Sequence, residues 1–164
     1  SCRRGMHTAY LDIETAFDGS LTVIGVYRPQ RGTLQLIRPE ISPVNLLDAL
    51  GETVGLKTYN GARFDLPVIR RQLGLDLGSL YEHEDLMFRC WRHGLKGGLK
   101  AVERQLGIVR ATAGVDGLAA MSLWSRWQSF GDRQALALLL DYNREDVELL
   151  AEVENRLDAR ERVS

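Results

Sequence analysis

Three consecutive segments of strand character open the chain, and their spacing constrains the fold more than any other feature. In residues 8–14 apolar and polar side chains alternate, which is typical of a half-buried strand. Residues 21–28 and 33–38 are predicted as the second and third strands, and short turn-forming stretches separate the three. Because connections this short join antiparallel neighbours, the sequence predicts a three-stranded antiparallel meander.

Strands and helices alternate in the rest of the chain. A buried strand is predicted at 55–59 and a short one at 80–84. Helices are predicted at 43–50, 66–73, 85–93, 98–106 and 118–129. The final segment is strongly helical, with an interruption near 141–143. This order predicts an α/β fold in which a mixed five-stranded sheet carries helices on both faces, and no linker divides it, so we expect one domain over residues 7–160.

Composition excludes several classes of protein. No apolar run approaches the roughly 20 residues that a membrane span needs, and residues 1–6 lack the apolar stretch of a secretory signal. Cys2 and Cys90 form no CxxC pair, which argues against a zinc site or a disulfide framework. We therefore expect a cytoplasmic protein that does not enter membranes.

Charge is unevenly distributed along the chain. The net charge of −1 differs from the basic balance that is usual in proteins binding nucleic acid tightly by its backbone. Residues 89–104 are nevertheless mostly basic and residues 141–154 mostly acidic. Each run alone is more typical of a solvated helix face. Any nucleic acid would therefore bind weakly through a local groove or at a segregated patch of charge.

Two carboxylates share one face of the first predicted strand. Asp12 and Glu14 are two residues apart, so both side chains project to the same side, beside Tyr10. Like charges on a largely apolar strand repel each other, and a divalent cation with oxygen ligands, such as Mg²⁺ or Mn²⁺, relieves that repulsion. Taken alone, the pattern is more often an exposed strand end.

A third carboxylate, Asp65, follows the predicted fourth strand. Its side chain is a candidate cap for the helix that begins at residue 66. It also stands at the carboxyl end of a strand, where open α/β sheets gather their ligands. For this motif alone, capping is the more common role.

A tyrosine and an aspartate share one face of the last predicted helix. Tyr142 and Asp146 are four residues apart and both fall within an apolar stripe that runs from residue 139 to 157. An inward-facing aspartate costs several kcal/mol unless it is paired or bound to metal. A core arginine partner and a metal site therefore explain Asp146 equally well.

The order of these motifs resembles that of a known family. The chain contains DxE at 12–14, N-x3-F-D at 60–65 and Y-x3-D at 142–146. This order is similar to that of the DEDDy-type 3′–5′ exonucleases of the ribonuclease H-like superfamily, and residues 84–86 and 98–103 make the chain look most like the YprB-type branch. The resemblance spans about residues 8–157. Asp141 stands where the sister DEDDh class has a histidine, which leaves the tyrosine class.

The resemblance implies a metal-dependent 3′–5′ exonuclease. By similarity, Asp12, Glu14, Asp65 and Asp146 hold two Mg²⁺ or Mn²⁺ ions, and Tyr142 orients the attacking water. The implied partner is nucleic acid, with a single-stranded 3′ end as the first expectation and both DNA and RNA open, as is the oligomeric state. Two alternatives stay open: a non-catalytic nucleic-acid-binding or scaffold module on the same fold, and a ribonuclease H-type endonuclease.

Other notable residues are predicted to have structural roles. Asp85 is expected to cap the helix that follows it rather than reach the edge of the site. The segment 95–100 is expected to be a helix–helix turn, with phosphate contact as the alternative. The tryptophans Trp91, Trp124 and Trp127 are expected in the core, although one of them could stack on a terminal base.

Overall fold

A computed structural model of the chain describes residues 7–163. Within that range one sheet contains β1 (Thr8–Thr15), β2 (Leu21–Arg28), β3 (Gly32–Ile37), β4 (Gly55–Thr58) and β5 (Glu82–Asp85). The spatial order is β3-β2-β1-β4-β5. The pairs β1–β2 and β2–β3 are antiparallel, whereas β1–β4 and β4–β5 are parallel. The predicted meander and the mixed five-stranded sheet are thus confirmed.

Helices connect and cover these strands. They are α1 (Pro43–Leu50), α2 (Asp65–Leu73), α3 (Leu77–Leu80), α4 (Leu86–Arg92), α5 (Leu99–Gln105), α6 (Gly117–Phe130) and α7 (Arg133–Val163). At the start of α1, the Ser42 hydroxyl accepts a hydrogen bond from the Asn45 N–H at 3.1 Å, and Pro43 supplies a φ angle suited to the first turn. Within residues 7–163, none of the helices combines the length and the apolar composition that a membrane crossing requires. A cytoplasmic location stays a prediction.

Two of the predicted elements differ in the structure. The expected interruption near 141–143 is wrong, because α7 is a continuous helix of 31 residues. The polar Asn143 does not break it, since its buried amide bonds to side chains of the sheet instead of competing for the helix backbone. The strand predicted at 80–84 begins later, at Glu82, because α3 occupies the residues before it.

The two faces of β1 pack against different helices. Its odd-numbered residues Ala9, Leu11 and Ile13 lie in a core with α1 and α2. On the opposite face, Tyr10 packs with Leu150 of α7, and α6 and α7 form a further core with Val23 of β2. The prediction of helices on both faces is confirmed. Asp12 and Glu14 share the face of Tyr10, so the alternation along β1 aims both carboxylates toward α7.

Of the two cysteines, only Cys90 lies in the described part of the chain. Cys90 is a buried free thiol in the described part of the chain. Cys2 and the predicted lack of a secretory signal in residues 1–6 lie outside the described residues.

Candidate active site

The candidate site lies where β1 extends past its parallel neighbour. β1 pairs with β4 only over Thr8–Tyr10, whereas its pairing with β2 continues to Thr15. Asp12 and Glu14 therefore stand beyond the carboxyl end of β4. In open α/β sheets this is the edge at which ligands bind.

Three carboxylates converge at this edge. One oxygen each of Asp12, Glu14 and Asp146 lies within 4.8 Å of the other two. Glu14 and Asp146 are buried, with 8% and 6% of their surface exposed, and Asp12 is partly buried. The predicted face of α7 carries Asp146 to the two carboxylates of β1, 132 and more residues away in sequence. Three converging hard oxygen ligands suit Mg²⁺ or Mn²⁺.

Asp65 lies beside this cluster but is not part of it. Its Oδ2 accepts a hydrogen bond from the backbone N–H of Ile13, between the two β1 carboxylates, at 3.1 Å. The capping interpretation is wrong, because Asp65 is already the first residue of α2 and the capping position is Phe64, without a side-chain hydrogen bond. The side chain, 3% exposed, instead fastens the start of α2 to β1.

Burial and mutual repulsion raise the pKa values of these acids. Burial raises the pKa of Asp12 well above its usual range, and the charges of Asp146 and Glu14 add to the effect. Burial and the charge of Asp146 raise the pKa of Glu14 to about 8. Burial raises the pKa of Asp65 to about 7 even though its backbone hydrogen bonds oppose the shift. Such a group of acids resists full ionisation unless a cation joins it.

Asp146 also has a cationic partner, Arg110. The Arg110 guanidinium donates to Oδ1 of Asp146 and, through its Nε and Nη2, to the two carboxylate oxygens of Glu103 at 2.5 and 3.0 Å. The core-arginine partner and the carboxylate cluster, considered as alternatives for Asp146, thus occur together. Sequence spacing did not reveal Arg110, because it lies in the segment between α5 and α6 and belongs to no motif.

The Tyr142 hydroxyl faces the same cleft and is held by a lysine. Lys100 Nζ donates a hydrogen bond to Oη of Tyr142 at 2.5 Å and lies 4.4 Å from the centre of its ring. Burial, together with the charges of Asp146 and Glu14, raises the pKa of the Tyr142 phenol, so it stays protonated at neutral pH. The segment 95–100 does turn the chain between α4 and α5, as predicted, and it also delivers Lys100 to the site.

Asn143 holds Asp12 in place and was given no role by the sequence motif. Its Nδ2 lies 3.3 Å from both the backbone oxygen and Oδ2 of Asp12, and its Oδ1 accepts from Nε2 of Gln35 at 3.0 Å. This approach requires Gly25 on β2, because a Cβ there would lie 2.3 Å from the Asn143 oxygen. A glycine inside a predicted strand is the signal that could have indicated such a close contact.

Two depressions meet at the acidic residues. They have volumes of about 360 and 240 Å³, and both are lined by Asp12, Tyr142 and Asp146. The first is bordered further by Tyr59 and Lys100, and the second by Glu14, Phe64 and Met121. The resulting cleft is acidic at its centre, cationic on one side and apolar on the other.

Asp85 organises the rim of this cleft. It caps α4, as predicted, by accepting the Met87 N–H at 3.1 Å. The same carboxylate accepts the N–H groups of Asn60 and Ala62 at 2.8 and 3.2 Å. The loop that leads to Asp65 is thereby fixed to the start of α4.

A second ionic cluster, the Arg89 network, lies further along α7 and joins it to β4, β5 and α4. Its members are Lys57, Glu84, Arg89, Glu154, Asp158 and Glu161. Tyr10 joins it, since its hydroxyl donates to Glu154 at 2.6 Å. A depression of about 800 Å³ lies here, larger than those at the acidic site. We do not take this larger depression as the active site, because each carboxylate of the network already contacts a cation.

The fold and the acidic edge define the class of protein. A sheet of order β3-β2-β1-β4-β5, with carboxylates on its central strand beyond the carboxyl end of the neighbouring parallel strand β4, is a ribonuclease H-like architecture. The RNase_H_2 family model, described as RNase_H superfamily, matches residues 9–158, and the chain therefore belongs to the RNase H superfamily. No curated protein matches the sequence. Family and acidic cluster together support a nuclease-type hydrolase with a nucleic-acid substrate and a divalent metal.

Proposed function

We propose that the protein is a DEDDy-type 3′–5′ exonuclease, most similar to the YprB-type branch, with a catalytic domain over residues 7–160. The observation that carries the proposal is the convergence of Asp12, Glu14 and Asp146 in a cleft that the Tyr142 hydroxyl also lines. The substrate in this proposal is the 3′ end of a nucleic-acid strand, and the bond broken is its last phosphodiester.

The four carboxylates would hold two Mg²⁺ or Mn²⁺ ions. Asp12, Glu14 and Asp146 supply converging oxygens, and Asp65 is proposed to serve the second ion largely through water. The raised pKa values of Asp12 and Glu14 support a cation site, because a cation removes the repulsion that raises them. When bound, the ions activate water and neutralise charge that develops on the phosphate oxygens.

The side chains around the carboxylates would position the water and the ligands. Because Lys100 donates to Oη of Tyr142, the hydroxyl proton of Tyr142 remains available to the attacking water or a phosphate oxygen. The protonated phenol cannot act as a base, so its role in this proposal is to orient the water. Asn143 fixes the orientation of Asp12, and Arg110, held by Glu103, fixes that of Asp146.

The decisive experiment uses 5′-labelled single-stranded DNA and RNA oligonucleotides, each with a free or a blocked 3′ end. With Mn²⁺, we expect a ladder that shortens from the free 3′ end, resistance of the blocked substrate, and no cleavage in chelator. Asp146→Asn serves as the inactive control.

Two results would replace the proposal. Internal cleavage of blocked and free substrates at equal rates would assign a ribonuclease H-type endonuclease. Binding of the oligonucleotides without cleavage in the presence of Mn²⁺ would assign a non-catalytic binding module.

A further inference from the structure

A cluster of cations and aromatic rings lies on the surface next to the acidic cleft. The cluster, called the Arg63 patch, consists of Arg63, Phe88, Trp91 and Lys96. The Arg63 guanidinium carbon lies 5.2 Å from the centre of the Phe88 ring and 5.6 Å from that of Trp91. Lys96 Nζ lies 5.9 Å from the Trp91 ring, and the two rings meet edge to face. The prediction that Trp91 lies in the core is wrong, because its side chain is only half-buried.

The two cations of the Arg63 patch are not neutralised by acids. In the described part of the chain, neither Arg63 nor Lys96 forms an ion pair with a carboxylate. Arg89, which lies on α4 with Phe88 and Trp91, differs because Glu154, Asp158 and Glu161 surround its guanidinium. The basic run at 89–104 therefore contains Arg89, which stabilises the fold, Lys100, which contacts Tyr142, and exposed cations such as Lys96. A guanidinium held by two rings also loses little side-chain entropy when it binds an anion.

The Arg63 patch borders the cleft on the side of α4. Arg63 directly precedes Phe64, which lines the cleft with Glu14. Lys96 lies in the turn that delivers Lys100 to the opposite wall. Because Asp85 binds both the loop before Arg63 and the start of α4, the patch and the cleft are parts of one fixed surface.

We propose that the Arg63 patch binds the phosphodiester backbone of a single strand whose 3′-terminal nucleotide occupies the cleft. This inference rests on the proposed function and adds where the upstream strand lies. A planar guanidinium donates two parallel hydrogen bonds to a phosphate, and Lys96 adds a second positive charge. A single strand fits better than a duplex, because unpaired bases can stack on aromatic and guanidinium groups such as those of the Arg63 patch.

The first test measures binding in chelator, where no hydrolysis occurs. Fluorescent twelve-residue oligo-dT and oligo-U strands are titrated at several salt concentrations against wild type and the double variant Arg63→Gln/Lys96→Gln. We expect the double variant to bind at least about tenfold more weakly, because it loses two charge-assisted phosphate contacts. Its log–log salt slope should be shallower by about 1.4, which is two phosphate contacts at about 0.7 each.

The matched control is Arg31→Gln, an exposed cation in the turn between β2 and β3, which should leave the slope unchanged. A double variant with the slope of wild type would overturn the proposal. The single-strand assignment would be overturned by a blunt duplex that binds wild type more tightly than the single strand does and whose salt slope becomes shallower by the same amount in the double variant. Equal effects on oligo-dT and oligo-U support a backbone contact shared by DNA and RNA.

The second test separates a strand-binding role from a structural one. On a twelve-residue strand the double variant should lose about tenfold in kcat/KM, mainly through KM, whereas a dinucleotide, which has no upstream strand, should be cleaved at the wild-type rate. Equal losses on both substrates would show that the patch only supports the site. If wild type cleaves neither substrate but shows the expected salt slope, the proposed exonuclease activity fails while the strand-binding surface stands.

Discussion

The acidic site and the Arg89 network both include residues of β1 and α7, yet their electrostatics are opposite. Each contains a buried tyrosine, Tyr142 or Tyr10, with 5% of its surface exposed. In the Arg89 network, hydrogen bonds from Arg89 and His93 lower the pKa of Glu161 to about 2. At the acidic site, burial raises the pKa of Glu14 to about 8.

The difference lies in the supply of cations. Every carboxylate of the Arg89 network contacts Lys57 or Arg89, whereas at the acidic site only Asp146 has such a partner among the described residues. A fully paired network needs nothing further to be stable. The acidic site accumulates negative charge that its own side chains do not compensate, which is the arrangement expected of a group that awaits a ligand.

The largest expected effect is on catalysis. Asp12→Asn should reduce nuclease activity to that of wild type in chelator, because it removes a proposed metal ligand while keeping an acceptor for Asn143. Glu154→Gln, its counterpart in the Arg89 network, should leave kcat/KM within about threefold of wild type, since Glu154 does not line the acidic cleft. Steady-state rates on a labelled oligonucleotide measure both. Loss of activity in Glu154→Gln but not in Asp12→Asn would reverse the assignment of the two regions.

Replacement of each tyrosine by phenylalanine should lower turnover in one case and stability in the other. Tyr142→Phe should lower kcat by a factor equivalent to about 2–4 kcal/mol, because one transition-state hydrogen bond is lost, with metal affinity unchanged. Tyr10→Phe should leave kcat unchanged and lower the free energy of unfolding by about 1–3 kcal/mol, since it leaves Glu154 without one of its donors. Paired kinetic and denaturation measurements check this. Undiminished turnover in Tyr142→Phe would make Tyr142 a core residue.

Removal of one carboxylate charge should change the free energy of unfolding differently in the two regions, and added metal should raise it. With Mn²⁺ at a hundredfold excess over Kd, wild type should gain about 2.7 kcal/mol. In chelator, Asp12→Asn should be as stable as wild type or more stable, because a neutral amide replaces a carboxyl whose ionisation is opposed by burial and by Asp146 and Glu14. Glu154→Gln should lose about 1–3 kcal/mol with or without metal, since Lys57 and Arg89 each lose a partner. Melting curves of the three proteins test this, and destabilisation of Asp12→Asn in chelator would argue against the repulsive cluster.

The smallest expected effect is the change in the free energy of unfolding for each unit of pH. Glu14 has its pKa raised from 4.5 to about 8, so in chelator the native state binds more protons than the unfolded state between these values. The free energy of unfolding should therefore fall as the pH rises through that window, by at most about 1.4 kcal/mol per pH unit for one proton. Glu161 has a lowered pKa, so its contribution is present above 4.5 and is lost as the pH falls toward about 2.

Matched variants separate these two limbs. Glu14→Gln should flatten the decline above pH 4.5, and Glu161→Gln should change only the acid limb. Chemical denaturation at half-unit pH intervals provides the measurement. A decline with the wild-type slope in Glu14→Gln would assign it to other groups, such as Asp12 and Asp65, whose pKa values are also raised.

Much of the acidic site could be predicted because it follows from short-range periodicity. The two-residue repeat of a strand put Asp12 and Glu14 on one face, and the four-residue spacing of a helix did the same for Tyr142 and Asp146. Both placements hold in the structure. The strand order of the meander followed equally from short turns.

The remaining parts of the site depend on contacts between distant segments. Arg110 reaches Asp146 from an irregular segment, and no periodicity links the two. Lys100 was assigned to a plain turn because its hydrogen bond to Tyr142 spans 42 positions. The interruption expected in α7 was wrong for the same reason, since a polar residue such as Asn143 suggests a break until its partners on the sheet are known.

The contact between Gly25 and Asn143 has a consequence for how the chain tolerates substitution. Even the methyl group of alanine at position 25 would displace Asn143 and, with it, the hydrogen bond to Asp12. In a library of all single substitutions selected for activity, position 25 should be as intolerant as position 12. The flanking Ile24 and Val26 point into the opposite core and should accept other apolar residues. A survey of fitness alone would thus rank Gly25 among the catalytic residues, although glycine has no side chain that could take part in catalysis.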